Sequence, residues 1–212
     1  LPTRSRGLGD VYKRQVFSFH ATKFFNTFEG GAIATDNDDL AEEVRYMQNF
    51  GFADLDRVDC VGINGKMTEV CAAMGLVNLR SIESFLEHNR RNLQTYADRL
   101  ESIPGLRLLP NSAEACNAQH VVVEVGEDFP LSRDELMRRL HAENVLVRRY
   151  FWPGCHRMEP YRSLQRHVGA LLPVTESILE RILLFPTGTA VDGETIEQVL
   201  DVVAQMASQG RA

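Results

Sequence analysis

No apolar run in the sequence approaches the ~18 residues needed to span a bilayer, and no stretch is patterned like a signal peptide. Net positive charge is also missing. A formal balance of −6 over 212 residues argues against a binder of nucleic acid or anionic membranes. The four cysteines (Cys60, Cys71, Cys116 and Cys155) are scattered without CxxC spacing and read as reduced thiols of a cytoplasmic protein. His88, His120, His141 and His167 show no metal spacing such as HExxH, so no metal is expected. There is no Walker loop, no GxGxxG, no internal repeat and no low-complexity tract. What is present, 44% hydrophobic and 25% charged residues, is the composition of a soluble globular protein.

The first fifteen residues, "LPTRSRGLGDVYKRQ", are basic and carry no sustained apolar period. Their "LGDVYKRQ" part resembles a translated sequencing-adaptor read, the alternative being a natural basic arm, so residues 1–15 are set aside from fold reasoning. The native chain is then expected to begin upstream of Val16.

Beyond that segment the pattern is α/β. Val16–Phe19 and Gly31–Thr35 are β-prone, and Leu40, Val44 and Met47 predict a helix from Asp38 to about Gln48. Residues 49–66 read as loop. Val70, Met74, Val77, Phe85, Leu93, Tyr96 and Leu100 then mark a long helix closed by Pro104-Gly105, with a break expected near Ser81–Ser84. Leu106–Leu109, His120–Val125 and Val145–Arg149 read as strands. Ser132 to Glu135 forms a capping box, Pro173–Arg181 a helix, and Asp192 caps a last amphipathic helix. The expected division places 16–100 in a first region and 101–212 in a second.

The candidate chemistry lies in "VFSFHATKFFNTFEGGAIATD". Lys23 stands at a strand end among Phe19, Phe24, Phe25 and Phe28, ahead of Gly30-Gly31. A lysine desolvated by aromatic rings has its pKa pulled down, which frees the amine to attack a carbonyl and form Schiff bases, including that with pyridoxal phosphate. Ser18 offers a hydroxyl to a phosphate oxygen, and the glycine pair permits close backbone approach to a ligand. On these residues alone, an ordinary solvated surface lysine is the competing reading. His20 either faces a substrate or fills the strand end. Glu29 either carries a proton or sets the Gly-Gly turn through backbone hydrogen bonds.

"SFHATK…NTFEGGAI" resembles the cofactor-lysine segment of the DegT/DnrJ/StrS family of pyridoxal-phosphate sugar aminotransferases. The resemblance implies that Lys23 is the Schiff-base lysine and proton shuttle, and that Ser18 is a phosphate ligand. "GINGKMTEVCAAMGL" is similar to a second family run and implies that Asn64 reaches the phosphate in the neighbouring subunit. A turn residue beside Gly65 is the alternative for Asn64. "RRYFWPGCHRMEPY" resembles a third stretch, which implies His156 and Tyr161 near the sugar nucleotide; membership of a packed loop is the alternative.

The implied fold is the fold type I, aspartate aminotransferase-like α/β architecture. It is expected in truncated form, as the end of the large-domain sheet plus a C-terminal α+β small domain. The family's aspartate partner of the pyridine nitrogen belongs to an N-terminal half not found here. The fragment itself is therefore expected to be inactive. The parent is expected to be a homodimer with shared active sites that transfers an amino group, from glutamate by resemblance, to a nucleotide-linked keto-deoxysugar. The resemblance points to C4 of a dTDP-4-keto-6-deoxyhexose. C3 amination, a cofactor-dependent sugar dehydratase and a non-catalytic regulatory homologue are the alternatives. Lys23 speaks against the dehydratase, whose members carry His there.

Overall fold

The computed structural model describes residues 14–109, 116–164 and 172–209. Of the fifteen residues set aside, Arg14 and Gln15 belong to the first strand; residues 1–13 lie outside the described range. The chain divides into two compact units, Leu1–Ile82 and Glu83–Ala212. The boundary falls inside a long helix, whereas the expected division lay at that helix's end.

In the first unit β1 (Arg14–Ser18) pairs antiparallel with β2 (Gly31–Thr35), from Arg14↔Thr35 to Ser18↔Gly31. Phe19 N–H donates to the Gly30 carbonyl at 2.8 Å and extends the ladder by one step, so residues 19–30 form the loop closing this hairpin. α1 (Asp38–Met47) starts where Asn37 Oδ1 accepts from Leu40 N–H at 2.9 Å, with Asp38 and Asp39 against the positive end of the helix dipole. The expected loop after it contains a small hairpin, β3 (Phe52–Asp54) and β4 (Arg57–Val58). These strands are too short to show a period in the sequence. α2 (Glu69–Leu100) runs 32 residues with no break at Ser81–Ser84. No proline or glycine lies between Leu76 and Leu100, and serine's weak aversion to helices is overridden by packing.

The second unit holds an antiparallel sheet in the order β5-β6-β7, from β5 (Leu106–Leu108), β6 (Val121–Val125) and β7 (Ile182–Phe185). β6 buries Val121, Val123 and Val125 on one face, the period-two pattern of a half-covered strand. α3 (Arg133–Ala142) adds Leu136 and Leu140 to the core; α6 (Gly193–Gln209) adds Ile196, Val199, Leu200 and Val203 at helical spacing. Tyr96 of α2 is fully buried, its hydroxyl donating to the Pro186 carbonyl at 2.8 Å, and burial pushes its phenol pKa up. α4 (Tyr161–Leu164) and α5 (Pro173–Leu179) complete the unit.

Two local expectations are corrected here. Val145–Arg149 is not a strand: Val147 N–H turns back to the Val145 carbonyl at 3.1 Å, leaving one bridge, Arg148↔Leu184. The capping box of α3 forms only its first half among the hydrogen bonds found: Ser132 accepts from Glu135 N–H at 3.3 Å, while the Glu135 carboxylate is taken by Arg138 and Arg139.

The units differ sharply in their interiors. Every buried apolar side chain among the described residues lies at Tyr96 or beyond. In the first unit Val16, Phe17, Ile33, Phe50, Val61 and Ile63 are exposed, and an open groove of about 580 Å³ runs along β1, β2 and α1. Among the described residues no helix is long and apolar enough to cross a membrane.

Candidate active site

Lys23 lies in the loop closing the β1–β2 hairpin, with its backbone N–H donating to the His20 carbonyl at 2.8 Å. Its side chain is exposed, so the aromatic enclosure expected around it is not formed. Phe19 and Phe25 pack edge to face on each other instead, ring centroids 5.0 Å apart. Ser18, also exposed, ends β1, and its Oγ is 3.5 Å from His20 N.

His20 and Glu29 pair across the same loop, His20 Nε2 to Glu29 Oε1 at 3.3 Å. The other ring nitrogen, Nδ1, receives the Thr22 N–H at 3.3 Å and lies 3.0 Å from Thr22 Oγ1. A backbone N–H can only donate, so in the neutral ring Nδ1 accepts and the proton sits on Nε2, facing Glu29. The Glu29 carboxylate is thus engaged by His20, and it is the Glu29 carbonyl that accepts from Thr27 Oγ1 at 2.7 Å.

The loop needs both of its glycines. A Cβ on Gly31 would lie 2.6 Å from the Phe17 carbonyl oxygen, and Gly30, at φ +151°, would meet Thr27 Oγ1 at 2.7 Å and Met67 Cε at 2.8 Å. Phe28 takes a left-handed conformation (φ 65°), strain of the kind that recurs at functional sites.

Asn64 is exposed in a segment laced to the end of α1: Ile63 N–H donates to Met47 O and Gly65 N–H to Gln48 O, each at 2.8 Å. It bridges Asn49 in extended pairing instead of making the alternative turn. Lys66, two residues on, rests over the Phe50 ring at 4.2 Å. His20 and Lys23 therefore share one loop of the first unit, Ser18 ends the strand that leads into it, and Asn64 lies in the same unit on a separate, backbone-fixed segment.

His156 and Tyr161 belong to the second unit. His156 Nε2 is 2.6 Å from Glu176 Oε1 of α5, and Arg157 binds both oxygens of the same carboxylate. These contacts hold the Glu176 pKa below the usual carboxylate value, His156 contributing most. Tyr161 opens α4 and is exposed. Near them the buried Arg133 donates to the Leu179 carbonyl at 2.8 Å and stacks 4.6 Å from the Trp152 ring.

Sequence reasoning missed Thr27, Gly75 and Asn78. Thr27 is buried against Gly75 of α2, and Asn78 Nδ2 donates to the Asn26 carbonyl at 2.8 Å. A signal was available: Asn78 follows Met74 by four residues, a polar group on the inward stripe of an amphipathic helix.

The fold of this chain recurs in solved structures. The crystal structure of DesI in the presence of its TDP-sugar product matches 94% of this chain and 50% of that one, with a TM-score of 0.82 and 43% identity. The sequence profile described as the DegT/DnrJ/EryC1/StrS aminotransferase family matches residues 2–204, and the chain belongs to that family. A dTDP-4-amino-4,6-dideoxy-D-glucose transaminase of Shigella dysenteriae is 34% identical over 194 residues, 90% of this chain and 52% of the relative. GDP-perosamine synthase of Caulobacter vibrioides is 30% identical over 96% of this chain and 54% of its own length. The chain spans about half the length of the curated relatives it matches.

Proposed function

We propose that this sequence forms the lysine-bearing half of a pyridoxal-phosphate-dependent aminotransferase that acts on a nucleotide-linked keto-deoxysugar. One observation carries the reading most: an exposed amine, Lys23, follows an exposed hydroxyl, Ser18, by five residues in a loop whose close contacts leave no room for a Cβ at Gly31. That donor set fits a ligand with an aldehyde at one end and a phosphate at the other. The names of the relatives support a nucleotide-sugar substrate. The Shigella dysenteriae relative being a dTDP-4-amino-4,6-dideoxy-D-glucose transaminase, C4 of a dTDP-4-keto-6-deoxyhexose is the preferred acceptor.

Bound pyridoxal phosphate would supply an electron-withdrawing ring that takes up an amino group from a donor and releases it to a carbonyl. Lys23 Nζ would hold the aldehyde carbon and would move the α-carbon proton of the donor as base and acid, with glutamate the preferred donor. Ser18 Oγ and the Asn64 amide would hold the phosphate oxygens, Asn64 across a homodimer interface. His20 lies in the same loop as Lys23, with its Nε2 proton directed to Glu29. Tyr161 and His156 are the substrate contacts of the second unit, His156 being held in place by Glu176. The carboxylate that keeps the ring nitrogen protonated belongs, by family resemblance, to the other half of the protein. Residues 1–212 alone are therefore assigned no turnover.

A mixing experiment on full-length protein carrying this sequence tests the reading. Lys23→Ala and Asn64→Asp should each abolish amination of the dTDP-keto sugar by glutamate. Their mixture should regain activity, because one site of each heterodimer then carries both lesions and the other neither. Absence of amination by the unchanged protein overturns the function. Absence of recovery on mixing, with heterodimers shown by mass, overturns the shared site.

A further inference from the structure

The lysine loop is held from one side by the first turns of α2. Asn78, 9% exposed, donates from Nδ2 to the Asn26 carbonyl at 2.8 Å. Asn26 in turn directs its own Nδ2 to the Lys23 carbonyl at 3.4 Å and accepts the Phe28 N–H on Oδ1, also at 3.4 Å. One turn before Asn78, Gly75 leaves the space that the Thr27 side chain fills: a Cβ there would lie 2.8 Å from Thr27 Cγ2. Thr27, 2% exposed, also donates from its N–H to the Phe19 carbonyl at 2.9 Å. The backbone carrying Lys23 is thus clamped at residues 26 and 27 against one face of a 32-residue helix.

We propose that Asn78 is a positioning residue for Lys23, fixing through the Asn26 carbonyl the turn from which the amine projects. The proposal rests on Lys23 being the cofactor-binding amine. An exposed lysine has a flexible four-carbon stem, so its useful direction depends on how firmly its Cα is held. A buried amide reaching a buried carbonyl does this without touching the amine. Losing the donor leaves that carbonyl without its partner, and the turn shifts to find another. A misplacement of about 1 Å is enough to cost on the order of a hundredfold where geometry limits the reaction.

The chain has three lysines (Lys13, Lys23 and Lys66), which makes the test clean. Full-length apoenzyme carrying this sequence is given limiting pyridoxal phosphate, and the label is fixed with borohydride. The amine and aldehyde condense with loss of water. Hydride then adds to the carbon of the resulting double bond and solvent supplies the proton to nitrogen. Peptide mapping reads the ratio of label on Lys23 to label on Lys66, the internal control. In Asn78→Leu, which keeps the shape and removes the donor, the ratio is expected to fall about tenfold or more. Asn78→Gln, which keeps the amide, should recover most of it. A merely structural role would raise or lower both lysines together.

An unchanged ratio in a helical Asn78→Leu protein overturns the proposal and leaves the Lys23 reading intact. Label on Lys66 in preference to Lys23 in the unchanged protein overturns both. If Asn78→Leu does not fold, hydrogen exchange of the unchanged enzyme decides. Lys23 and Thr27 amides protected as deeply as α2 around Asn78 support the clamp, and free exchange at both overturns it.

Discussion

Gly75 presents a test in which two elementary effects oppose each other. Glycine to alanine inside an exposed helix ordinarily stabilises by about 1 kcal/mol. Here the new Cβ would sit 2.8 Å from Thr27 Cγ2, a buried side chain with nowhere to retreat. Overpacking costs about 1–3 kcal/mol, so Gly75→Ala is expected to lose stability, by roughly 1 kcal/mol net, in urea unfolding. A gain would show that Thr27 is not clamped. At this scale the sequence revealed the groups proposed to carry chemistry more readily than those that hold their loop in place. Lys23, Ser18 and Gly30-Gly31 stand out because their residue types are unusual at a strand end. Thr27 and Asn78 act through a carbonyl and a van der Waals surface, and neither leaves a mark on spacing. The expected aromatic enclosure of Lys23 failed for the same reason: four nearby phenylalanines say nothing about which way each ring faces, and Phe19 and Phe25 face each other.

Among the elements, the 3-10 turn at Cys155–Arg157 is tied to α5 by Glu176, which accepts from His156 and Arg157. The Glu176 pKa is lowered from its ordinary 4.5 chiefly by the His156 hydrogen bond, with burial opposing and Arg157 adding. A carboxylate with a depressed folded value contributes stability that is fully present above the unfolded value and is lost as pH falls through the folded one. Acidification below about pH 4.5 should therefore release the turn from α5. Hydrogen exchange across residues 154–158 would detect it, and Glu176→Gln should remove that pH dependence. Protection factors in this segment, exchange corrected for its intrinsic pH dependence, that stay level down to pH 2 would contradict the clasp. Elements with a strong local signal were legible: α1 from its period and Asn37, α6 from its period and Asp192, and β6 from its run of valines. Those decided by pairing were not. The apolar run of β7 fits strand or helix equally, and Val145–Arg149 opens on a short apolar run like a strand but is bent by a local hydrogen bond.

For the whole molecule, the contrast between the two units is the governing fact. The second unit carries a continuous apolar core, whereas the first leaves Val16, Phe17, Ile33, Val61 and Ile63 in water. Apolar area of that extent is unfavourable by about 25 cal/mol per Å², and a two-stranded hairpin is at best marginal by itself. Residues 1–212 expressed alone should accordingly self-associate, seen as light scattering that grows with concentration, and should bind no pyridoxal phosphate. A clear monomeric solution that takes up the cofactor would contradict this. The α/β class was legible from the apolar patterning and the family from three motifs, because both signals are local. The division inside α2 was not, because helix periodicity is the same on both sides of Ile82.

The central claim is that Lys23, and no other amine of the chain, bonds the cofactor. The most direct measurement is the visible absorbance of full-length protein titrated with pyridoxal phosphate, before and after borohydride, in Lys23→Ala and Lys66→Ala. Lys66 is the other lysine among the described residues, with its ammonium over the Phe50 ring. The band should be absent in Lys23→Ala, and in Lys66→Ala it should be present and bleached by borohydride. A bleachable band that survives in Lys23→Ala would contradict the claim.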